Sequence, residues 1–358
     1  MRPWLEIRTA ALTANARAIG RLTAPAKLCA VVKSNAYGHG LVPSSLAIGA
    51  AGVPGLGFGV FRASEGLSLR AAGITESILV LGPVEESELA EVIAADLELG
   101  LVDDGDVAAY GRAHAVVHVK IETGTSRFGL AVSLSAAAAS RLRELGADVV
   151  GIYSHLADAE ELDASFAREQ LARLLDASAK FGGRPVRHIA ASAAALMWPE
   201  FRLEMVRCGI AMYGAWPSAS VRDRMKEITP TFSLEPALRF FAPIVHSMDV
   251  ASGESVGYGC EFRTSRPSRI AVLPVGYADG LPRAAGSGAF GVRLGALRAP
   301  IVGRICMNAC MIDITDCAPL PLRGDVAEFD IDELAAAAGT INYEILARLS
   351  PELERRFL

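Results

Sequence analysis

Between residues 28 and 213 the chain repeats one pattern. A short apolar run rich in β-branched residues is followed by a longer stretch with apolar residues at helical intervals. The runs fall at 28–33, 56–60, 78–82, 98–102, 116–122, 149–155, 188–192 and 205–213, and stretches such as 83–95, 133–145 and 163–181 carry the helical spacing. Gly146 and Gly182-Gly183 stand where helix stops are expected. Eight strands alternating with helices predict an α/β fold, an N-terminal (β/α)8 TIM-like barrel. An open doubly wound sheet would want a glycine-rich turn after its first strand, and Lys33-Ser34-Asn35-Ala36 is not one.

The cadence changes after Gly214. Residues 217–236 are irregular and punctuated, as a linker would be. The later runs 239–250, 268–276, 291–297 and 301–315 are separated by turn residues, with little helical pattern before 331–338. That predicts a mainly β C-terminal domain. The expected division is 1–232 for the barrel and 233–358 for the second domain, with residues 1–10 open to pairing with the latter.

Composition narrows the function classes. A 51% hydrophobic share supplies a core and excludes disorder. A net charge of −5 without a basic stripe argues against nucleic acid as a partner. The N-terminus lacks the apolar centre of a signal peptide and no stretch reaches a membrane span, so no membrane partner is expected. The six cysteines are scattered, mostly in apolar runs, as expected of reduced thiols in a cytoplasmic protein. Cys306 and Cys310 lack partners at zinc-site spacing and the six histidines do not cluster, so no metal is expected.

In a β/α barrel, chemistry sits at the C-terminal ends of the strands. Lys33, Lys120 with Arg127, His155, Ser192, and Arg207 with Gly209 all fall at or near such ends. A lysine delivered by a buried strand loses solvation, which lowers its pKa and makes it a nucleophile toward carbonyl compounds; it can also simply snorkel outward. Arginine offers a fork suited to carboxylate or phosphate. A lone histidine is more often a satisfied core residue than a catalyst. Backbone N–H groups and hydroxyls near Ser192 and Gly209 can hold a phosphate without lysine. Tyr258, in a strand flanked by Gly257 and Gly259, is either packing or a base needing help to ionise.

The stretch Val31-Val32-Lys33-Ser34-Asn35-Ala36-Tyr37-Gly38-His39-Gly40 closely resembles the lysine motif of the alanine racemase family, enzymes that use pyridoxal 5'-phosphate. Five further stretches follow in the family's order, covering nearly the whole chain. Lys120–Arg127 resembles the second motif, with Thr125-Ser126 where many members carry Met-Gly. The others are 205–214 around Arg207, 255–259 around Tyr258, 303–308, and 340–344; Asn308 stands where aspartate is usual.

The resemblance implies residue roles. Lys33 carries the cofactor and acts as the base toward D-alanine, with Tyr258 as the base toward L-alanine, contributed by the other subunit of a homodimer. Arg127 contacts the cofactor's phenolic oxygen and the substrate carboxylate, and Met307 offers its N–H to that carboxylate. Tyr37, Ser192, Gly209, Ile210 and Tyr343 form the phosphate cradle. Lys120 is a candidate for carbamylation, and His155 supports Arg207. Arg207 itself is placed against the pyridine nitrogen, where a guanidinium disfavours protonation and weakens the ring as an electron sink, favouring racemisation over transamination. The implied reaction is interconversion of L- and D-alanine. Racemisation of serine or another amino acid on the same scaffold, or a barrel that binds the cofactor without catalysis, are the alternatives.

Overall fold

The computed structural model describes residues 1–358, which divide into two compact units. One comprises Thr9–Ala36 and Leu41–Glu235; the other comprises Met1–Arg8, Tyr37–Gly40 and Pro236–Leu358.

The first unit is a ring of eight parallel strands: Lys27–Val31, Gly57–Val60, Ser77–Val80, Glu98–Leu101, Val116–Glu122, Asp148–Tyr153, Val186–His188 and Met205–Cys208. Neighbours pair in chain order, and the last strand returns to the first with Met205 opposite Lys27. On its other flank the Arg207 N–H donates to the Ala190 carbonyl at 3.0 Å, which nearly closes the barrel. A helix follows every strand, from Leu41–Gly49 after the first to Ala219–Ile228 after the last. Strands covered by helices outside and side chains inside are buried on both faces, and Gly57–Val60 is buried at all four positions. The expected barrel is therefore present.

Local boundaries differ in ways that make physical sense. The apolar run 205–213 breaks at Gly209 into the strand Met205–Cys208 and the short helical turn Ile210–Tyr213. The run 188–192 holds only the end of strand Val186–His188, and helix Ser192–Met197 begins where the run ends. The expected linker 217–236 contains helix Ala219–Ile228, whose Ser218 Oγ accepts from the Val221 N–H at 3.3 Å as an N-cap.

The second unit is built on a nine-stranded sheet. Trp4–Ile7 lies between Leu238–Pro243, antiparallel with Leu5 opposite Phe240, and Glu354–Phe357, parallel with Leu5 opposite Arg355. Its core includes Phe329, whose ring centroid lies 4.9 Å from that of Phe240 and 6.1 Å from that of Phe290. The helical pattern at 331–338 is helix Ile331–Ala338, capped by Asp330 Oδ1 accepting from the Glu333 N–H at 3.0 Å.

Candidate active site

Lys33 leaves the first barrel strand one residue after Val32 and is half-buried. The chain then turns through four consecutive non-glycine residues in the left-handed region: Ser34, Asn35, Ala36 and Tyr37, with φ of 57°, 56°, 53° and 50°. Left-handed backbone costs roughly 1–2 kcal/mol per residue, so something must hold it. Glu65 Oε1 accepts from the Ser34 N–H at 2.6 Å, while Oε2 accepts from the N–H groups of Phe61 and Arg62. The Ala36 N–H donates to the Val32 carbonyl at 2.8 Å, and Asn35 Oδ1 accepts from the Leu41 N–H at 2.8 Å. The Lys33 ammonium stands 5.9 Å from the Phe61 ring centroid. Burial, then the Arg127 charge, then that of Arg207 push its pKa below the ordinary lysine range, with Glu65 opposing.

Strand Val116–Glu122 alternates cleanly, with His118, Lys120 and Glu122 on one face and Val117, Val119 and Ile121 on the other. Lys120 is buried and lies 5.4 Å from the Phe128 ring centroid. Burial, Arg127 and Arg207 lower its pKa to about 8 against the pull of Glu122. Glu122 organises the next turn. Its carboxylate accepts from the N–H groups of Gly124, Thr125 and Arg127 and from the Thr125 hydroxyl. Burial alone would raise its pKa, but these bonds outweigh it and hold it at about 2. The loop bearing the exposed Arg127 is thereby anchored.

Arg207 is buried in the barrel, and its side chain donates only to neutral acceptors. Nη1 meets His188 Nδ1 at 2.7 Å; Nη2 meets the carbonyls of Ser154 at 2.7 Å and Ile189 at 3.3 Å, and His155 Nδ1 at 3.4 Å. Burial, then Arg207, Arg127, Lys120 and Lys33, lower the His155 pKa to about 3, so that imidazole stays neutral. Ser192 Oγ accepts from the N–H groups of Gly209 at 3.0 Å and Ala211 at 3.4 Å. Gly209 thus directs its N–H to Ser192, which keeps its hydroxyl hydrogen to donate. Ile210 follows directly and opens the helical turn.

Lys33, Lys120, Arg127 and Arg207 therefore crowd one end of the barrel, each disfavouring charge on a neighbour. The nearby carboxylates of Glu65 and Glu122 are occupied by backbone N–H groups. Such a donor set fits a phosphate and a carboxylate, and includes an amine able to attack an aldehyde.

In the second unit, the Tyr37 and Tyr343 rings lie 6.2 Å apart. Gly38 beside them is tightly packed, since a Cβ there would meet the Leu346 carbonyl oxygen at 2.2 Å. Tyr258 is 70% exposed, on a turn between Gly257 and Gly259 with φ of 77° and 76°. Met307 and Asn308 are also exposed.

Residues 7–217 match the family model "Alanine racemase, N-terminal domain" and residues 237–357 match "Alanine racemase, C-terminal domain". The chain belongs to the alanine racemase family. Alanine racemase of Methanococcus maripaludis is 37% identical over 99% of this chain and 98% of its own. That of Salinispora arenicola is 39% identical over 90% and 89%. Among solved structures, alanine racemase from D-cycloserine-producing Streptomyces lavendulae covers 100% of this chain and 97% of its own, at 32% identity and TM-score 0.91.

Sequence reasoning passed over Glu65, Glu98, Glu122, His118 and His188. For Glu122 and His118 the alternation with Lys120 was the available signal. For Glu65 and Glu98 there was none, because their partners lie in other strands and loops.

Proposed function

We propose that this chain racemises alanine with pyridoxal 5'-phosphate through two bases, Lys33 and Tyr258. The observation that carries the reading is the convergence of four cations and a neutral His155 at one barrel end, in a chain of this family. Bound there, the cofactor delocalises the charge left at the substrate Cα when its proton is removed. Lys33 would hold its aldehyde carbon, Ser192, Ile210, Tyr37 and Tyr343 its phosphate, with Gly209 fixing the Ser192 hydroxyl for that task, and Arg127 its phenolic oxygen. Arg207 would face its ring nitrogen and, permanently charged, disfavour a proton there.

The remaining work falls to the chain's own groups. With its pKa lowered, Lys33 has a larger neutral fraction near pH 7 and can take or return a proton at Nζ on one face of Cα. Tyr258 Oη serves the opposite face, which the exposure of its side chain permits when it comes from a second copy of the chain. Arg127 and the Met307 N–H orient the substrate carboxylate. The barrel unit thus carries Lys33, and the β unit supplies Tyr37, Tyr343 and the second base.

Lys120 is the proposed site of carbamylation. With a pKa of about 8, part of its amine is neutral, and addition of carbon dioxide forms a C–N bond and releases one proton. The resulting anion would steady Arg127. Density or intact mass without the added carboxylate in bicarbonate-saturated buffer would remove this proposal. No helix is long and apolar enough to cross a membrane; with all six cysteines unpaired, a reducing, cytoplasmic setting is the one proposed.

The deciding experiment is incubation of the cofactor-loaded protein with a panel of L-amino acids, scored by chiral chromatography. D-alanine should accumulate to equality with L-alanine. A racemic product from serine alone would redirect the substrate, and no product from any amino acid would remove the activity.

A further inference from the structure

Behind Arg207 the barrel interior holds a polar line that none of the proposed roles uses. His188 Nε2 lies 2.9 Å from His118 Nδ1, and His118 Nε2 lies 3.0 Å from Glu98 Oε2. Both imidazoles are buried, at 0% and 3% exposure, while Glu98 begins its strand and is partly open to solvent. The line starts at Arg207 and ends at the N-terminal edge of a barrel strand, remote in chain and position from the strand ends carrying Lys33 and Lys120.

We propose that Glu98, His118 and His188 form a static charge-compensating relay that fixes the orientation and effective charge of Arg207, making Glu98 a positioning residue for the ring nitrogen that Arg207 faces. This rests on the role of Arg207 given above. The hydrogens along the line can be assigned from chemistry alone. A guanidinium only donates, so His188 Nδ1 accepts. His188 is neutral, because burial, Arg207 and His118 hold its pKa far below the usual histidine range. Its single hydrogen is therefore on Nε2 and points at His118 Nδ1. That leaves the His118 hydrogen on Nε2, donating to the Glu98 carboxylate. Reversing either ring would set an N–H against an N–H.

The packing is built for this line. The His188 ring stacks on Tyr153 at 4.7 Å and 4°, and Arg207 lies over the other partner of that stack at 5.2 Å from the Tyr153 centroid. Gly151 supplies the space for His118, since a Cβ there would sit 2.0 Å from His118 Nδ1. All the direct acceptors of Arg207 are uncharged, and a buried cation without an anion is costly. The Glu98 carboxylate, acting through two polarised rings, makes His188 Nδ1 a stronger acceptor and offsets part of that charge. A carboxylate behind a metal-bound histidine raises ligand basicity by the same means.

Two variants separate charge from hydrogen bonding. Glu98→Gln keeps an acceptor for His118 Nε2–H and removes the charge; Glu98→Met removes both at similar length. Imidazole nitrogen shifts, measured by NMR on the full chain with and without pyridoxal 5'-phosphate, report the tautomers directly. In the unsubstituted protein His118 and His188 should both be neutral with hydrogen on Nε2. Glu98→Met should leave the tautomers, which Arg207 sets, but move the His188 Nδ1 shift and the absorption of the bound cofactor, and lower kcat about tenfold with KM for alanine held within about twofold. Tenfold is the low end of what loss of an outer hydrogen-bond partner costs a metal site. Glu98→Gln should keep the tautomers and lose less. A His188 Nδ1 shift in Glu98→Met identical to that of the unsubstituted protein overturns the relay. So does a moved His188 shift with unaltered kcat and absorption, which would make the line packing only. If Glu98→Met does not fold, a His118 Nε2–H shift in Glu98→Gln identical to the unsubstituted protein overturns it. Absence of racemisation in the unsubstituted protein would instead remove the proposed function, leaving the nitrogen spectra to decide the relay.

Discussion

Replacing Glu122 with glutamine should loosen the turn that carries Arg127, and the cost can be worked from the site. Each carboxylate oxygen accepts two hydrogen bonds, Oε1 from the Gly124 and Thr125 N–H groups and Oε2 from the Thr125 hydroxyl and the Arg127 N–H. Glutamine keeps one oxygen and sets an NH2 against the remaining N–H. A carboxyl moved from 4.5 to about 2 would carry about 3 kcal/mol at about 1.4 kcal/mol per pH unit. The group is partly exposed, and solvent screening reduces this to about 1–2 kcal/mol. Because the folded value is depressed, the stabilisation is fully present above the unfolded value of 4.5 and is lost as pH falls through about 2. Urea unfolding followed by the fluorescence of Trp198 and Trp216, both in the barrel unit, should show the gap between the two proteins at pH 7. The gap should narrow below about pH 4.5. A gap of constant size from pH 7 to about pH 3, or no gap at all, would refute the assignment of that stabilisation to the ionised carboxylate.

Borohydride reduction of the cofactor-loaded protein should fix the cofactor mass on the peptide containing Lys33; labelling at another lysine would reassign the site. Lys33→Ala and Tyr258→Ala chains, each inactive alone, should regain about a quarter of native activity after random subunit exchange, since half the dimers are mixed and each has one intact site. Verified exchange without recovery would place both residues in one chain's site or remove them as the pair. Gly151→Ala should destabilise the barrel unit by about 1–3 kcal/mol through overpacking against His118, measured as a lower midpoint in urea; an unchanged midpoint would mean the ring can move aside.

The barrel was legible because its strands are apolar and its helices periodic, two signals that survive without knowledge of any contact. Lys33, Lys120, His155 and Arg207 were visible as polar residues interrupting apolar runs at or near strand ends, but that pattern left the snorkelling and core readings open, and their roles came from the resemblance. Strand limits were less so. Ile210–Tyr213 is as apolar as the strand before it, and only the backbone at Gly209 separates them. Helix Ala219–Ile228 was hidden by its polarity. The relay was not legible at all. Glu98, His118 and His188 lie on three strands, and each alone reads as a solvated acid or an ordinary core histidine.

The turn after Lys33 has a chirality of its own. Ser34, Asn35 and Ala36 adopt backbone angles that are the mirror image of an ordinary helical turn, which an L-residue adopts under strain and a D-residue adopts at ease. A semisynthetic chain bearing D-alanine at position 36 would keep the hand of the turn and relieve part of that strain. Its stereocentre would be inverted while the lysine before it kept its place.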